Sequence, residues 1–199
     1  MASIRDTRPT LIVVQLKGNV MPIYVALLRG INVGKSRRIS MADLRALVEH
    51  LGGTGVKTYV NSGNIVFGHE ETSAATLETA IADAINERIG QAVPVVIRTG
   101  DELATIVEKN PFPDAVSDPK TLHVTFLAKK PDAKAVKALA DAEKGPDDYR
   151  VVGRDVYLFY PNKLTGADFM PNGLDAALGM VTTSRNWRTV TTLAEMANG

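Results

Sequence analysis

The fold is decided by residues 23–67, which read IYVALLRGINVGKSRRISMADLRALVEHLGGTGVKTYVNSGNIVF. The stretch opens with apolar residues from Ile23 to Leu28, a pattern typical of a strand buried on both faces. A loop over Gly30 to Arg38 leads to Ser40, which is followed by apolar residues at helical spacing and then by Gly52. The pattern predicts a strand, a loop and a capped helix.

A β-hairpin comes next. Thr58-Tyr59-Val60 and Ile65-Val66-Phe67 flank Asn61-Ser62-Gly63-Asn64, whose residues tolerate positive φ or hydrogen-bond their own backbone. A helical stripe from Leu77 to Ile89 and a strand from Val93 to Ile97 complete the order β-α-β-β-α-β. This is the order of a ferredoxin-like unit, in which the first and third strands are antiparallel neighbours.

The second half of the chain repeats strand, helix and hairpin in the same order. Leu122 to Leu127 is predicted as a strand, Asp132 to Glu143 as a helix, and Arg150 to Tyr160 as a hairpin. Near the C terminus we predict a short helix from Leu174 to Leu178 and a final helix from Arg185 to Ala197. We therefore expect an α+β protein of two sequential ferredoxin-like halves with antiparallel sheets and a packed C-terminal helix.

Breaker residues suggest how the chain is divided. Asn110-Pro111-Phe112-Pro113 is a rigid segment that suits a connection between two halves. The residues before Met21 are either an upstream extension or an added edge strand at Leu11 to Leu16. The expected segments are an N-terminal extension (1–21), a first half (22–99), a connecting helix with a Pro-rich linker (100–120), and a second half with the C-terminal helices (121–199).

The amino-acid composition argues against several kinds of binding site and partner. Lys and Arg number 23 against 22 Asp and Glu, so a net charge of +1 gives no global attraction for nucleic acid or an anionic membrane. The chain has no cysteine, which excludes disulfides and thiolate metal sites and is typical of a cytoplasmic protein. His50, His69 and His123 lack the short spacing of paired metal ligands, so we expect no metal. The apolar run from Leu11 to Val14 is too short to span a membrane.

A candidate anion site lies where the first strand ends. In the predicted sheet, this exit and the hairpin tip share one end. The segment is not a P-loop, because Gly30 and Gly34 enclose three residues, one fewer than that loop requires, and the helix cap comes only at Ser40. A second cluster of arginines and an amide follows Thr183 at a predicted helix N terminus. The candidate ligand-binding residues are Arg29, Gly30, Asn32, Gly34, Lys35, Ser62, Asn64, Arg185 and Asn186.

Each candidate also has a plainer structural interpretation. The glycines suit a tight exit from the strand, Lys35 suits a solvated face, and the hairpin residues suit a turn. In the C-terminal cluster, Thr183 or Ser184 suits the N-cap of a helix and Trp187 its apolar face. The sequence leaves both interpretations open.

Several of these motifs together resemble the bacterial family catalogued as domain of unknown function 1697. The resemblance extends over about Pro22 to Ala197 and differs in one place, where Tyr160-Pro161-Asn162 replaces the family's glycine-containing lead-in to Lys-Leu-Thr. It implies a paired ferredoxin-like architecture and brings no established activity, substrate or cofactor. The motifs are residues 24–34, Met41 with Leu44-Arg45, residues 58–67, Lys163-Leu164-Thr165, and residues 183–190.

The residues are compatible with two alternative functions. The first is binding of a small anionic ligand, a nucleotide or a phosphorylated metabolite; the candidate loops contain no evident general base, so whether the protein is an enzyme stays open. The second is a nucleic-acid or protein interaction module, although Tyr24, Tyr59 and Phe67 do not form the aromatic platform of RNA-binding sheets. The sequence leaves the ligand, any cofactor and the oligomeric state unknown.

Overall fold

The computed structural model describes residues 21–33, 37–140, 145–163 and 174–199. The first half follows the predicted order of strands and helices, the second contains one strand that was not predicted, and each half is followed by one more helix. The first half comprises β1 (Ile23–Leu28), α1 (Met41–His50), β2 (Thr54–Tyr59), β3 (Asn64–Gly68), α2 (Ala74–Ile89), β4 (Val95–Thr99) and α3 (Gly100–Glu108). The second comprises β5 (Leu122–Leu127), α4 (Ala133–Ala140), β6 (Asp148–Val152), β7 (Asp155–Phe159), α5 (Leu174–Leu178), β8 (Thr182–Asn186) and α6 (Trp187–Asn198).

The two sheets have the same topology. Strand order is β2-β3-β1-β4 in the first and β6-β7-β5-β8 in the second, and every neighbouring pair is antiparallel. The predicted α+β class with two sequential antiparallel halves is confirmed, and the strand order is consistent with a ferredoxin-like unit. Among the described residues, no helix has the length and apolar composition needed to cross a bilayer.

Helix ends follow the local signals in the sequence. Ser40 accepts a hydrogen bond from the backbone N–H of Asp43 at the start of α1, as an N-cap serine does. Thr99 and Glu102 form a reciprocal capping box at the start of α3, directly after β4. Gly90 ends α2 with a left-handed φ of 68°, a conformation that glycine adopts at little cost.

The core has three apolar layers. The outer face of the first sheet packs under α1 and α2, and that of the second sheet packs with α4 and α5. Between them, the inner faces of both sheets share one cluster with α3 and α6. Trp187 lies in this central cluster and is 6% exposed, which confirms its assignment to the core. The C-terminal helix therefore packs against both halves.

The C-terminal boundary was predicted wrongly. Thr182 to Asn186 form an edge strand paired with β5, and the last helix begins at Trp187 and not at Arg185. The N-cap is Asn186, whose side-chain oxygen accepts from the N–H of Thr189 at 2.9 Å, so neither Thr183 nor Ser184 caps the helix. A run of threonine, serine, arginine and asparagine has no apolar alternation, so its pairing with β5 decides its conformation.

Candidate functional site

Asn32 joins the loop after β1 to the tip of the first hairpin. Its φ is 57°, and its side-chain amide donates to the carbonyl oxygens of Ile39 and Asn61, each at 3.0 Å. Its side-chain oxygen accepts from the N–H of Ile39 at 3.0 Å. Asparagine is one of the few residues that adopt a left-handed backbone readily. The strand exit and the hairpin tip thus lie side by side, linked by Asn32.

Gly30 makes room for an arginine within the same loop. Its φ is 64°, and a β-carbon there would stand 3.2 Å from Nη1 of Arg37. The absence of a side chain lets the Arg37 guanidinium lie against the loop backbone. The predicted site residues Gly34 and Lys35 fall outside the described part of the chain.

Asn64 is fully buried at the first position of β3. Its amide donates to the carbonyl oxygen of Tyr59 at 2.8 Å and to the hydroxyl oxygen of Ser62 at 3.1 Å. Its side-chain oxygen accepts from Nε of Arg185 at 2.5 Å. All the hydrogen-bonding groups of this side chain are therefore engaged within the protein, and Ser62 serves to hold it.

Arg185 lies in β8 and reaches across to the first half. Its guanidinium donates to the carbonyl oxygens of Leu28 at 2.7 Å, Ser62 at 3.2 Å and Gly63 at 3.3 Å. It also donates to the hydroxyl of Thr183 at 2.8 Å. Burial lowers the pKa of Arg185 to about 10, so the group stays charged at neutral pH. Arg185 is thus a buried bridge between the halves, where a helix N terminus was predicted.

Arg29 provides a more accessible cation at the same end. Its guanidinium is 33% exposed and forms an ion pair with Asp175 of α5. Asp175 also accepts a hydrogen bond from the hydroxyl of Thr182 at 2.5 Å. Because α5 belongs to the second half, this pair is a second contact between the halves.

The structure therefore separates the predicted residues into three groups. Asn64 and Arg185 are buried, and Asn32 and Ser62 hold the backbone around them. Arg29 and Gly30 lie at the accessible rim, where Arg37 joins them. Asn186 lies in the same strand as Arg185 but caps α6. The buried members organise the site, and the rim can meet a ligand.

Sequence reasoning missed a second buried arginine. Arg98 in β4 donates to Oδ1 of Asp155 at 2.8 Å and to the carbonyl oxygens of Leu127 at 3.0 Å and Arg154 at 2.8 Å. Burial lowers the pKa of Arg98 and raises that of Asp155, whereas their attraction opposes both shifts. The one available signal was an arginine directly after the apolar run Val95 to Ile97, where a buried charge needs a partner.

The described residues of the site supply mainly hydrogen-bond donors, together with the carboxylate of Asp175. Within the described ranges, no cluster of three or more metal-ligating side chains occurs. The arrangement can therefore hold an anion through guanidinium groups, which match carboxylate and phosphate oxygens bidentately.

Comparisons with known proteins address the fold. A family model described as "Protein of unknown function (DUF1697)" matches residues 21–157. No curated protein sequence matches the chain. Among solved structures, the chain is similar to the conserved bacterial protein SP0830 from Streptococcus pneumoniae, with a TM-score of 0.68 and 21% identity over 89% of this chain and 99% of that one.

Proposed function

Because the chain belongs to the DUF1697 family, whose description assigns no chemistry, we propose a function from the site itself. The protein binds a small anionic ligand, a nucleotide or a phosphorylated metabolite, at the rim formed by Arg29 and Arg37. We further propose that it works in the bacterial cytoplasm, which the absence of cysteine supports.

The ion pair between Arg29 and Asp175 is the observation that carries this proposal. An anionic oxygen lies against the Arg29 guanidinium at this accessible position, which supports an anion site there. Arg37 lies one short loop away, against Gly30, and supplies a second guanidinium. A phosphate can replace the Asp175 carboxylate by bonding both arginines, because it offers more oxygens than one carboxylate does.

The buried network fixes the backbone that carries the rim residues. Asn64 and Arg185 hold the hairpin tip against the end of β1, and Asn32 fixes the loop that carries Arg37. Such pre-ordering lowers the entropy that ligand binding would otherwise cost. The described rim contains no histidine, and its carboxylate, Asp175, is already paired with a cation, so the proposal is binding and not catalysis.

The alternative of RNA binding through an exposed sheet has less support. Tyr24 is 2% exposed and Phe67 is 1% exposed, because α1 and α2 cover that face of the first sheet. Stacking on bases requires exposed aromatic side chains. The other face of this sheet lies in the central cluster with α3 and α6.

Isothermal titration calorimetry with inorganic phosphate, pyrophosphate and ATP tests the proposal. We expect one of these probes to bind, and Arg37→Gln to weaken its binding about tenfold, the value of one charge-assisted hydrogen bond. Arg150→Gln is the matched control, because it removes the same charge from an exposed position in β6. Equal affinity of both variants for the probe, or no binding by wild type, would exclude the rim as an anion site.

A further inference from the structure

The strand registers define equivalent positions in the two halves. Ala26 faces Ile97 across β1 and β4, and Thr125 faces Ser184 across β5 and β8. Because the topologies are the same, the members of each pair correspond. Four outer-face pairs, first half then second, are Tyr24 and His123, Ala26 and Thr125, Val95 and Thr182, and Ile97 and Ser184, whereas the pair Leu28 and Leu127 is apolar in both halves.

In the first half, three of these four positions hold apolar residues and the fourth holds Tyr24. There they join the apolar cluster beneath α1 and α2. In the second half the counterparts at these four positions are polar, and Thr125 is fully buried. Its hydroxyl donates to that of Ser184 at 3.1 Å. Polar groups below the surface reduce the stability that apolar packing would give, so their presence calls for another reason.

Two further polar groups border Thr125 on this face. The rings of His123 and Tyr160 are 5.6 Å apart between centroids. Tyr160 is fully buried, yet neither its hydroxyl nor Nδ1 of His123 has a hydrogen-bond partner among the described residues. Buried groups of this kind are almost always hydrogen-bonded in folded proteins. Both atoms therefore have unused hydrogen-bonding capacity among the described residues.

The described helices over this face are shorter than those over the first sheet. In the first half, α2 has 16 residues and packs along β4. Its counterpart α5 has five described residues and directly follows a segment, 164–173, that lies outside the described part of the chain. His123 and Ser184 keep part of their surface accessible to solvent.

We propose that His123, Thr125, Tyr160 and Ser184 form a binding site for a small, neutral, hydroxyl-rich molecule such as a sugar or polyol. Each of the four side chains can both donate and accept a hydrogen bond, as each hydroxyl of such a ligand does. Burial lowers the pKa of His123 to about 4, so its ring is neutral at neutral pH. Burial raises the pKa of the Tyr160 hydroxyl, and the nearby Asp147 carboxylate raises it further; a carboxylate at this place disfavours an anionic ligand.

The test replaces Thr125 and Ser184 with apolar residues, as found at the equivalent positions Ala26 and Ile97 of the first half. We compare wild type with the double variant Thr125→Ala, Ser184→Val, titrating each with glucose, ribose, myo-inositol and sorbitol. The readout is the NMR resonance of the His123 ring, with His50 and His69 as internal references. In wild type at least one probe should shift the His123 resonance selectively. In the double variant the shift should be lost, while the thermal midpoint is unchanged or higher.

Three results would overturn the proposal. A lower thermal midpoint of the double variant would mean that the two hydroxyls serve the fold. If no neutral probe shifts the His123 resonance, the site does not bind sugars or polyols. If inorganic phosphate alone shifts it, the ligand is an anion. Because this site is separate from the Arg29 rim, its failure leaves the anion proposal unaffected.

Discussion

Arg98 and Arg185 occupy equivalent positions in the two sheets, and each bridges from its own half to the other. Arg98 faces Val25 in the register of the first sheet, and Arg185 faces Val124 in that of the second. Arg98 donates to the carbonyl oxygen of Leu127, and Arg185 to that of Leu28, at the last residue of the opposite central strand. The halves are therefore joined by two reciprocal contacts of the same kind.

Arg185→Met should destabilise the protein by about 3–5 kcal/mol, as removal of one partner from a buried charged network does. The substitution leaves the side-chain oxygen of Asn64 and several carbonyl oxygens without their donor. Urea unfolding measures the change. Arg188→Met, at an exposed position of the next helix, is the control and should change stability by under about 0.5 kcal/mol. Equal effects of the two substitutions would contradict the bridging role.

Asp155→Asn should cost less than Arg98→Met. Arg185 is held by neutral oxygens, including that of Asn64, which is the counterpart of Asp155. An asparagine at 155 can accept from Arg98 in the same way, so we expect a loss of about 1.5–3 kcal/mol. Arg98→Met leaves the buried Asp155 carboxylate without its cation, and about 3–5 kcal/mol is expected. The reverse ranking in urea unfolding would show that Arg98 depends on a full negative charge.

The elements that were predicted correctly each have a local signal. Ser40 caps α1 as predicted, and Gly90 ends α2. The β8 strand has no such signal, because its conformation depends on pairing with β5 from more than fifty residues earlier. Tertiary pairing overrides local propensity in such segments.

The candidate site was predicted only in part for a similar reason. Antiparallel topology was enough to bring Asn32 to the hairpin tip. It could not show that Arg185 is buried, because that depends on how the second half docks on the first. Asp175 was missed because nothing in its local sequence links it to Arg29.

Gly63→Ala should be strongly destabilising. Its φ is 76°, and a β-carbon would stand 2.6 Å from Cγ2 of Ile31 and 2.8 Å from Cβ of Leu28. Overpacking and left-handed strain together predict a loss of roughly 2–5 kcal/mol. Gly153→Ala has a similar φ of 64° but no atom near the new methyl group, so it isolates the backbone strain and should cost roughly 1–2 kcal/mol. Equal losses in thermal or urea unfolding would mean that Ile31 and Leu28 move aside freely.

His123 should make the free energy of unfolding depend on pH. Burial lowers the pKa of its ring from 6.5 to about 4 in the folded protein. Between these values the unfolded chain binds the proton and the folded protein does not, so acidification in this window favours unfolding. The loss should reach on the order of 3 kcal/mol by pH 4 and vanish above about pH 6.5.

The variant His123→Tyr isolates this effect, because Tyr24 is its counterpart in the first half and a tyrosine does not titrate in that range. Urea unfolding of both proteins at several pH values between 4 and 7.5 gives the comparison. Carboxylates contribute equally to the two curves, so the difference between wild type and variant should change only below about pH 6.5. Parallel curves over the whole range would mean that the His123 ring is protonated as easily in the folded protein as in the unfolded chain.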